Sequence, residues 1–226
     1  MTSSIANLRY EKKFVAEGLR LAEVLAKVRH HPAIFQQAYP PRVVNNVYLD
    51  SPGRGDYYDH INGSANRTKT RVRWYGSQFG AAKSPTLERK LKRGLVRGKE
   101  AYLVPEFDIN GACLRSQLRT RFDTATFPPI LQSALRHLEP ALFNRYHRHY
   151  FLSQDRKFRL TVDSHLQFAH TRAIYSQSSA SWVAIPTVII ELKFMPEFAE
   201  DAAFITNVLL FRLARFSKYV IGLDSL

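Results

Sequence analysis

The stretch Lys69-Thr70-Arg71-Val72-Arg73-Trp74-Tyr75 limits what this chain can fold into more than any other. Read as a strand, it alternates: Lys69, Arg71 and Arg73 point to one face, Thr70, Val72 and Trp74 to the other. Three like charges side by side repel one another. Such a face needs either screening by solvent or an anionic partner.

The pattern recurs along the chain. Residues 8–15 put Arg9, Glu11 and Lys13 opposite Tyr10 and Phe14. Thr86 to Arg93 puts Glu88, Lys90 and Lys92 opposite Leu87 and Leu91. Leu142 to Leu152 carries Tyr146, Arg148 and Tyr150 on one face. Phe158 to Phe168 sets Arg159, Thr161 and Asp163 against Phe158, Leu160 and Val162. Val188 to Phe194 sets Glu191 and Lys193 against Ile190, Leu192 and Phe194. A further strand, Val43 to Leu49, follows a break at Pro40-Pro41. Helical spacing appears in 17–28, through Leu21, Val24, Leu25 and Val28, with His30-His31-Pro32 as its end. Short helices are predicted over 114–122 and 128–137, and a long one over 198–213, buried through Phe204, Val208 and Phe211. The segments 77–85, 94–98 and the serine-rich 176–181 read as loops or turns, and 215–219 closes the chain.

Taken singly, each strand fits a half-exposed antiparallel sheet with its charges in water. The set argues otherwise. Arg and Lys dominate the polar faces, and a carboxylate sits among the cations on four strands: Glu11, Glu88, Asp163 and Glu191. The amphipathic helices also need apolar surface to cover. If they cover the sheet from outside, the charged faces turn inward and a closed sheet encloses a polar lumen. The fold expected is therefore α+β: a closed antiparallel β-barrel with a basic lumen and helices packed outside, in one domain over residues 1–226.

The charge balance fits this. Lys plus Arg is 33 against 19 for Asp plus Glu, a formal net charge of +14, which points to an anionic partner. The single cysteine, Cys113, excludes an intrachain disulfide. The N-terminus lacks a basic region followed by an apolar run, and Arg212 and Arg215 interrupt the longest apolar stretch near the end. A cytoplasmic protein is expected, peripheral at a membrane if a membrane-protein partner recruits it.

Six segments occur in a telling order: Arg9-Tyr10-Glu11-Lys12-Lys13-Phe14, Lys69 to Gly76, Leu87-Glu88-Arg89-Lys90, Phe158 to Asp163, Ile190-Glu191-Leu192-Lys193 and Phe216-Ser217-Lys218-Tyr219. Together they resemble the VTC domain, the catalytic domain of the vacuolar transporter chaperone polyphosphate polymerase. That family is a branch of the triphosphate tunnel metalloenzyme (CYTH-like) superfamily. The resemblance implies transfer of the terminal phosphate of ATP onto a polyphosphate chain, with a divalent metal, manganese first and magnesium second. It implies phosphate contacts from Arg71, Arg73, Arg148 and Arg159, and from Lys13, Lys69, Lys90, Lys193, Ser217 and Lys218. It implies metal binding by Glu191, with Glu11, Glu88 and Asp163 as further ligands or as partners orienting the arginines. Hydrolytic members of the superfamily open on Glu-x-Glu-x-Lys. Here Arg9 takes the first position, one carboxylate fewer, which suits the polymerase branch.

Two other functions remain open on the sequence: a metal-dependent tripolyphosphatase of the same fold, and a non-catalytic module binding polyanion or nucleic acid. Nucleic acid is not the expected partner, because the aromatics lie mostly opposite the basic faces instead of among them.

Overall fold

The computed structural model describes residues 9–94, 96–109, 113–171 and 181–226. The serine-rich turn at 176–181, up to residue 180, therefore lies outside the described residues, as do Leu8 and one residue of the 94–98 bend. The chain is mixed α+β, with antiparallel strand pairing and six α-helices among the described residues. It divides into two compact units. One comprises 1–42, 146–166 and 185–216, the other 43–145, 167–184 and 217–226.

The first unit is built on β1 (Tyr10–Ala16), β9 (Arg159–Ala169) and β11 (Val188–Phe194), with α1 (Leu21–Arg29) and α5 (Ala199–Leu209). β1 pairs with β11, and β11 with β9. The alternation predicted from sequence sorts the side chains. Phe14, Phe158, Leu160, Val162, Ile190, Leu192 and Phe194 form one core with Val24 and Val28 of α1 and Ala202, Ile205 and Leu209 of α5. α1 starts four residues later than its periodicity predicts, because Gly18 takes φ +69° and the Arg20 backbone N–H is capped by Glu23 Oε2 at 2.7 Å. His31 is buried as a structural residue: its Nδ1 accepts from the Ala33 N–H at 3.0 Å, leaving Nε2 to donate to the Ile205 carbonyl at 3.1 Å.

α5 departs from its expected extent and its expected face. Leu210 at φ +51° stops it, and Arg212–Leu213 pairs instead as the short strand β12 against β1. Phe204 and Val208 are exposed, while Ala202, Ile205 and Leu209 face the core.

The second unit is built on β3 (Asn66–Tyr75), β5 (Thr86–Arg93) and β6 (Val96–Leu103), beside parts of β2 (Gln36–Asp50) and β8 (Glu139–Leu152). The strand order is β8-β2-β3-β5-β6. Val72, Trp74, Leu87 and Phe143 pack under α3 (Leu114–Thr124) and α4 (Pro129–Arg136), through Leu114, Leu118, Phe122, Leu131 and Leu135. Trp74 is a core residue, edge-on to Phe107 and Phe143. The remaining strands are short: β4 (Ala81–Ala82), β7 (Phe107–Asp108) and β10 (Val183–Ile185).

Three local features differ from the sequence expectation. β2 runs through Pro40-Pro41, where a break was expected, and its residues 36–42 are exposed, so the missing amide hydrogens leave no buried carbonyl unpaired. The 94–98 bend is only the turn of a β5–β6 hairpin, with Gly94 at φ +58°. The C-terminal segment is not a plain end: α2 (Gly55–Ile61) and α6 (Lys218–Asp224) are linked by Tyr57 donating to Asp224 Oδ1 at 2.5 Å. α6 seats Gly222 against Phe168 and Leu142, so close that a Cβ there would lie 2.3 Å from Phe168.

Candidate phosphate-binding site

The charged strand faces are turned away from α1 and α5 in the first unit and from α3 and α4 in the second, and several of their side chains are shielded from water. Side-chain exposure is 14% or less for Arg71, Arg73, Glu88, Arg148, Asp163 and Glu191. That rules out a freely solvated face, since charges left in such surroundings must be paired.

In the first unit the pairing forms an alternating chain of charge. Strand register sets Lys13 across from Glu191, and Glu11 across from Lys193, which in turn lies across from Arg159. Lys13 Nζ reaches Glu11 at 3.0 Å. Lys193 Nζ reaches Glu11 at 3.7 Å and Glu191 at 2.5 Å. Arg148, arriving from β8, lies 3.9 Å from Glu191 and donates to both oxygens of Asp163, Nε to Oδ1 at 2.6 Å and Nη2 to Oδ2 at 2.7 Å. Burial alone would pull the Arg148 guanidinium down. Asp163, Tyr146 and Glu191 outweigh that and hold it protonated, well above its ordinary range. Exposure rises along this chain, from Asp163 at 0% to Lys193 at 32%. Arg159 is exposed at the start of β9. Lys13 also donates to the Phe216 carbonyl at 3.2 Å.

In the second unit one carboxylate faces a run of cations. Glu88 Oε2 accepts from Arg71 Nε at 2.8 Å and from Arg71 Nη2, lies 3.7 Å from Arg73, and Glu88 Oε1 accepts from Lys99 at 2.8 Å. Burial pushes the Glu88 carboxyl up, but Arg71, Arg73 and Lys99 prevail and hold it well below the usual carboxylate range. Arg73 Nε donates to Asn46 Oδ1 at 2.9 Å, and Asn46 is anchored by Asn144 at 3.3 Å. Lys69 Nζ donates to Ser217 Oγ at 2.8 Å, and the same oxygen caps α6 through the Val220 N–H at 3.3 Å. Lys90 lies in register between Lys69 and Lys99, and Lys218 is the first residue of α6.

Of the residues singled out from sequence, the structure joins Glu11, Lys13, Arg148, Asp163, Glu191 and Lys193 into one network, and Arg71, Arg73 and Glu88 into another. Sequence reasoning missed Lys99, Asn46, Asn144 and Asp50. Lys99 becomes visible only once β6 is recognised, since register then sets it beside Lys90. Asp50 is buried and accepts from the Asp56 and Tyr57 N–H groups at 3.0 Å and from the Tyr219 hydroxyl, so it ties α2 to α6. Its signal was an Asp just before Ser51-Pro52-Gly53 and a helix.

The fold has known counterparts. PH1819 protein from Pyrococcus horikoshii OT3 superposes with a TM-score of 0.53 at 14% identity, covering 96% of this chain and 98% of that one. A protein of Vibrio parahaemolyticus described as a candidate adenylate cyclase gives 0.53 at 12% identity, covering 94% and 97%. A protein of Hippeastrum described as a candidate adenylyl cyclase with a dominant triphosphatase activity gives 0.54 at 14%, covering 95% and 94%. No curated protein matches the sequence. The family model of the VTC domain matches residues 8–226, nearly the whole length, and the chain belongs to the VTC domain family.

Proposed function

We propose that this protein is a polyphosphate polymerase, which transfers the terminal phosphate of ATP to a growing polyphosphate chain within a closed, basic β-tunnel. The observation that carries the reading is the cation run of the second unit. Register brings the alternate positions Arg67, Lys69, Arg71 and Arg73 of β3, Lys90 and Lys92 of β5 and Lys99 of β6 together, and Glu88 of β5 pairs with three of them, Arg71, Arg73 and Lys99. From Arg67 to Arg73 the run spans about 20 Å of strand. That is longer than the three phosphates of one nucleotide, and suits a polymer. Membership of the VTC domain family supports the same reading. The hydrolase of the same fold is the second reading, supported by the triphosphatase activity described for the Hippeastrum protein.

Phosphoryl transfer asks the protein for position and charge neutralisation more than for covalent chemistry. Arg71, Arg73, Arg148 and Arg159 would hold the triphosphate. Lys13, Lys69, Lys90, Lys193, Ser217 and Lys218 would hold the phosphates beyond it. Arg gives paired hydrogen bonds to phosphate oxygens, and Lys a point charge. The oxygen at the chain end bonds to the terminal phosphorus of ATP, the bond from that phosphorus to the bridging oxygen breaks, and ADP leaves with the electron pair. The chain end is already anionic, so no general base is required.

The donor set fits a hard divalent cation. Glu11 and Glu191 would supply oxygen ligands, and Lys193 pairs with both. Among the described residues no three His, Cys, Asp or Glu side chains converge as a metal cage. Magnesium and manganese need fewer, taking one or two carboxylates and completing their shell with phosphate oxygens and water. When bound, the ion would supply positive charge to offset the charge that develops on the phosphate oxygens. Asp163 and Glu88 are already engaged by arginine and fit the orienting role better.

The test is incubation of the purified protein with ATP and Mn2+. Acid-insoluble phosphate polymer is expected, and Arg73→Ala and Glu191→Gln are expected to abolish it. Orthophosphate released from tripolyphosphate, with no polymer formed, would establish the hydrolase instead. Tighter binding to duplex DNA than to tripolyphosphate would refute both. No helix among the described residues is long and apolar enough to cross a membrane. A membrane-protein partner that receives the polymer is proposed.

A further inference from the structure

A nucleotide substrate leaves its base outside any site built for phosphates, and the sequence offers four rings for it: Tyr10, Trp74, Tyr146 and Tyr150. The structure removes three. Trp74 and Tyr146 are each 1% exposed and have no face to offer. Tyr10 sits edge-on to Phe194, on the face of β1 opposite Lys13. Tyr150 is left, and it is not alone. Tyr39 of β2 meets it edge to face, centroids 5.9 Å apart at 88°. The Arg42 guanidinium lies 5.5 Å from the Tyr39 centroid and 5.8 Å from that of Tyr150.

We propose that Tyr39, Arg42 and Tyr150 form the subsite that receives the purine base of the nucleotide. Three observations converge on it. Tyr150 shares its face of β8 with Arg148, two residues or about 7 Å of backbone away, whose guanidinium engages Asp163 and lies 3.9 Å from Glu191. The platform thus lies within one nucleotide's reach of the first unit's charged network. Tyr39 is 57% exposed, although a tyrosine that served only the ribbon would gain by covering its ring. A planar cation beside two rings also stacks on purines as readily as on tyrosine. Pro40 and Pro41 stiffen the backbone between Tyr39 and Arg42, so the platform is held before the ligand arrives.

The inference rests on the nucleotide-consuming reading above, and the experiment separates the two. Calorimetry would compare a non-hydrolysable ATP analogue, the β,γ-imido triphosphate, with inorganic tripolyphosphate on wild type, Tyr39→Ala, Tyr150→Leu and Tyr39→Phe. Loss of one stacking ring should weaken the ATP analogue about tenfold. Tripolyphosphate affinity should hold in the same proteins, which also shows that they fold. Tyr39→Phe, which keeps the ring, should bind both like wild type. If both ligands bind wild type and their affinity ratio does not move in Tyr39→Ala and Tyr150→Leu, the base subsite is refuted while the phosphate site stands. If wild type binds neither ligand, the nucleotide reading falls and the subsite falls with it.

Discussion

Arg148 and Asp163 form a two-point ion pair, 2.6 and 2.7 Å, in which the carboxylate has no solvent exposure at all. Asp163→Asn would leave the Arg148 charge buried, with Glu191 at 3.9 Å as the carboxylate beside it among the described residues. Breaking a buried pair from one side costs about 3–5 kcal/mol. Urea unfolding should show a loss of that order, present with or without added Mn2+. A variant as stable as wild type would refute the orienting role and return Asp163 to the candidate metal ligands.

Glu88 is the counter-charge to Arg71, Arg73 and Lys99, and its folded-state carboxyl is held below the ordinary value of 4.5. A depressed carboxylate lends stability above its unfolded pKa, and that stability is lost as pH falls through the folded value. Glu88→Gln should therefore be clearly less stable than wild type at pH 7. The gap should narrow steadily as pH drops below about 4.5. Unfolding free energies measured from pH 7 to pH 2 check this, and a gap independent of pH would contradict it.

Gly222 sits inside α6, where helix propensity alone favours alanine by about 1 kcal/mol. Packing decides the other way. The added Cβ would meet Phe168 Cδ1 at 2.3 Å and Leu142 Cδ2 at 2.6 Å, and both neighbours are fully buried. Overpacking of this kind costs about 1–3 kcal/mol. Gly222→Ala should lower Tm by several degrees, and an unchanged or higher Tm would show that α6 can shift outward at no cost.

Arg67 and Lys92 lie across from each other toward the hairpin end of the cation run, away from Arg73 and Glu88. If the run tracks a polymer, the double variant Arg67→Gln, Lys92→Gln should weaken binding of long polyphosphate far more than of tripolyphosphate. The salt dependence of long-chain binding should become shallower as well, because fewer ionic contacts are made. Equal weakening of both ligands would place the triphosphate itself at that end.

Strands with an alternating apolar stripe were readable. Thr86–Arg93 and Val188–Phe194 begin and end where their alternation does, because a period of two has one register that puts Leu87 in one core and Ile190, Leu192 and Phe194 in the other. Elements with few apolar residues were not. Val96–Leu103, with its Gly98 and three charges, carries no such stripe and is a strand because β5 pairs with it. In α5 the apolar residues surround the axis, so composition could not say that Ile205 and Leu209 turn inward and Phe204 and Val208 outward. Lys218–Asp224 reads as a chain end until Ser217 caps it and Tyr219 finds Asp50.

The stretch from Lys69 to Tyr75 shows where the division falls. Its sequence alone determined that Lys69, Arg71 and Arg73 share a face and that Val72 and Trp74 take the other, since that is backbone geometry. Which group answers each cation was a matter for tertiary structure. Glu88 takes Arg71 and approaches Arg73, Asn46 holds the Arg73 Nε, and Ser217, 148 residues away in sequence, takes Lys69. Local periodicity assigns a side chain to a face. Its partner comes from strand register and helix docking, which depend on contacts between distant segments and leave no periodic trace in either one.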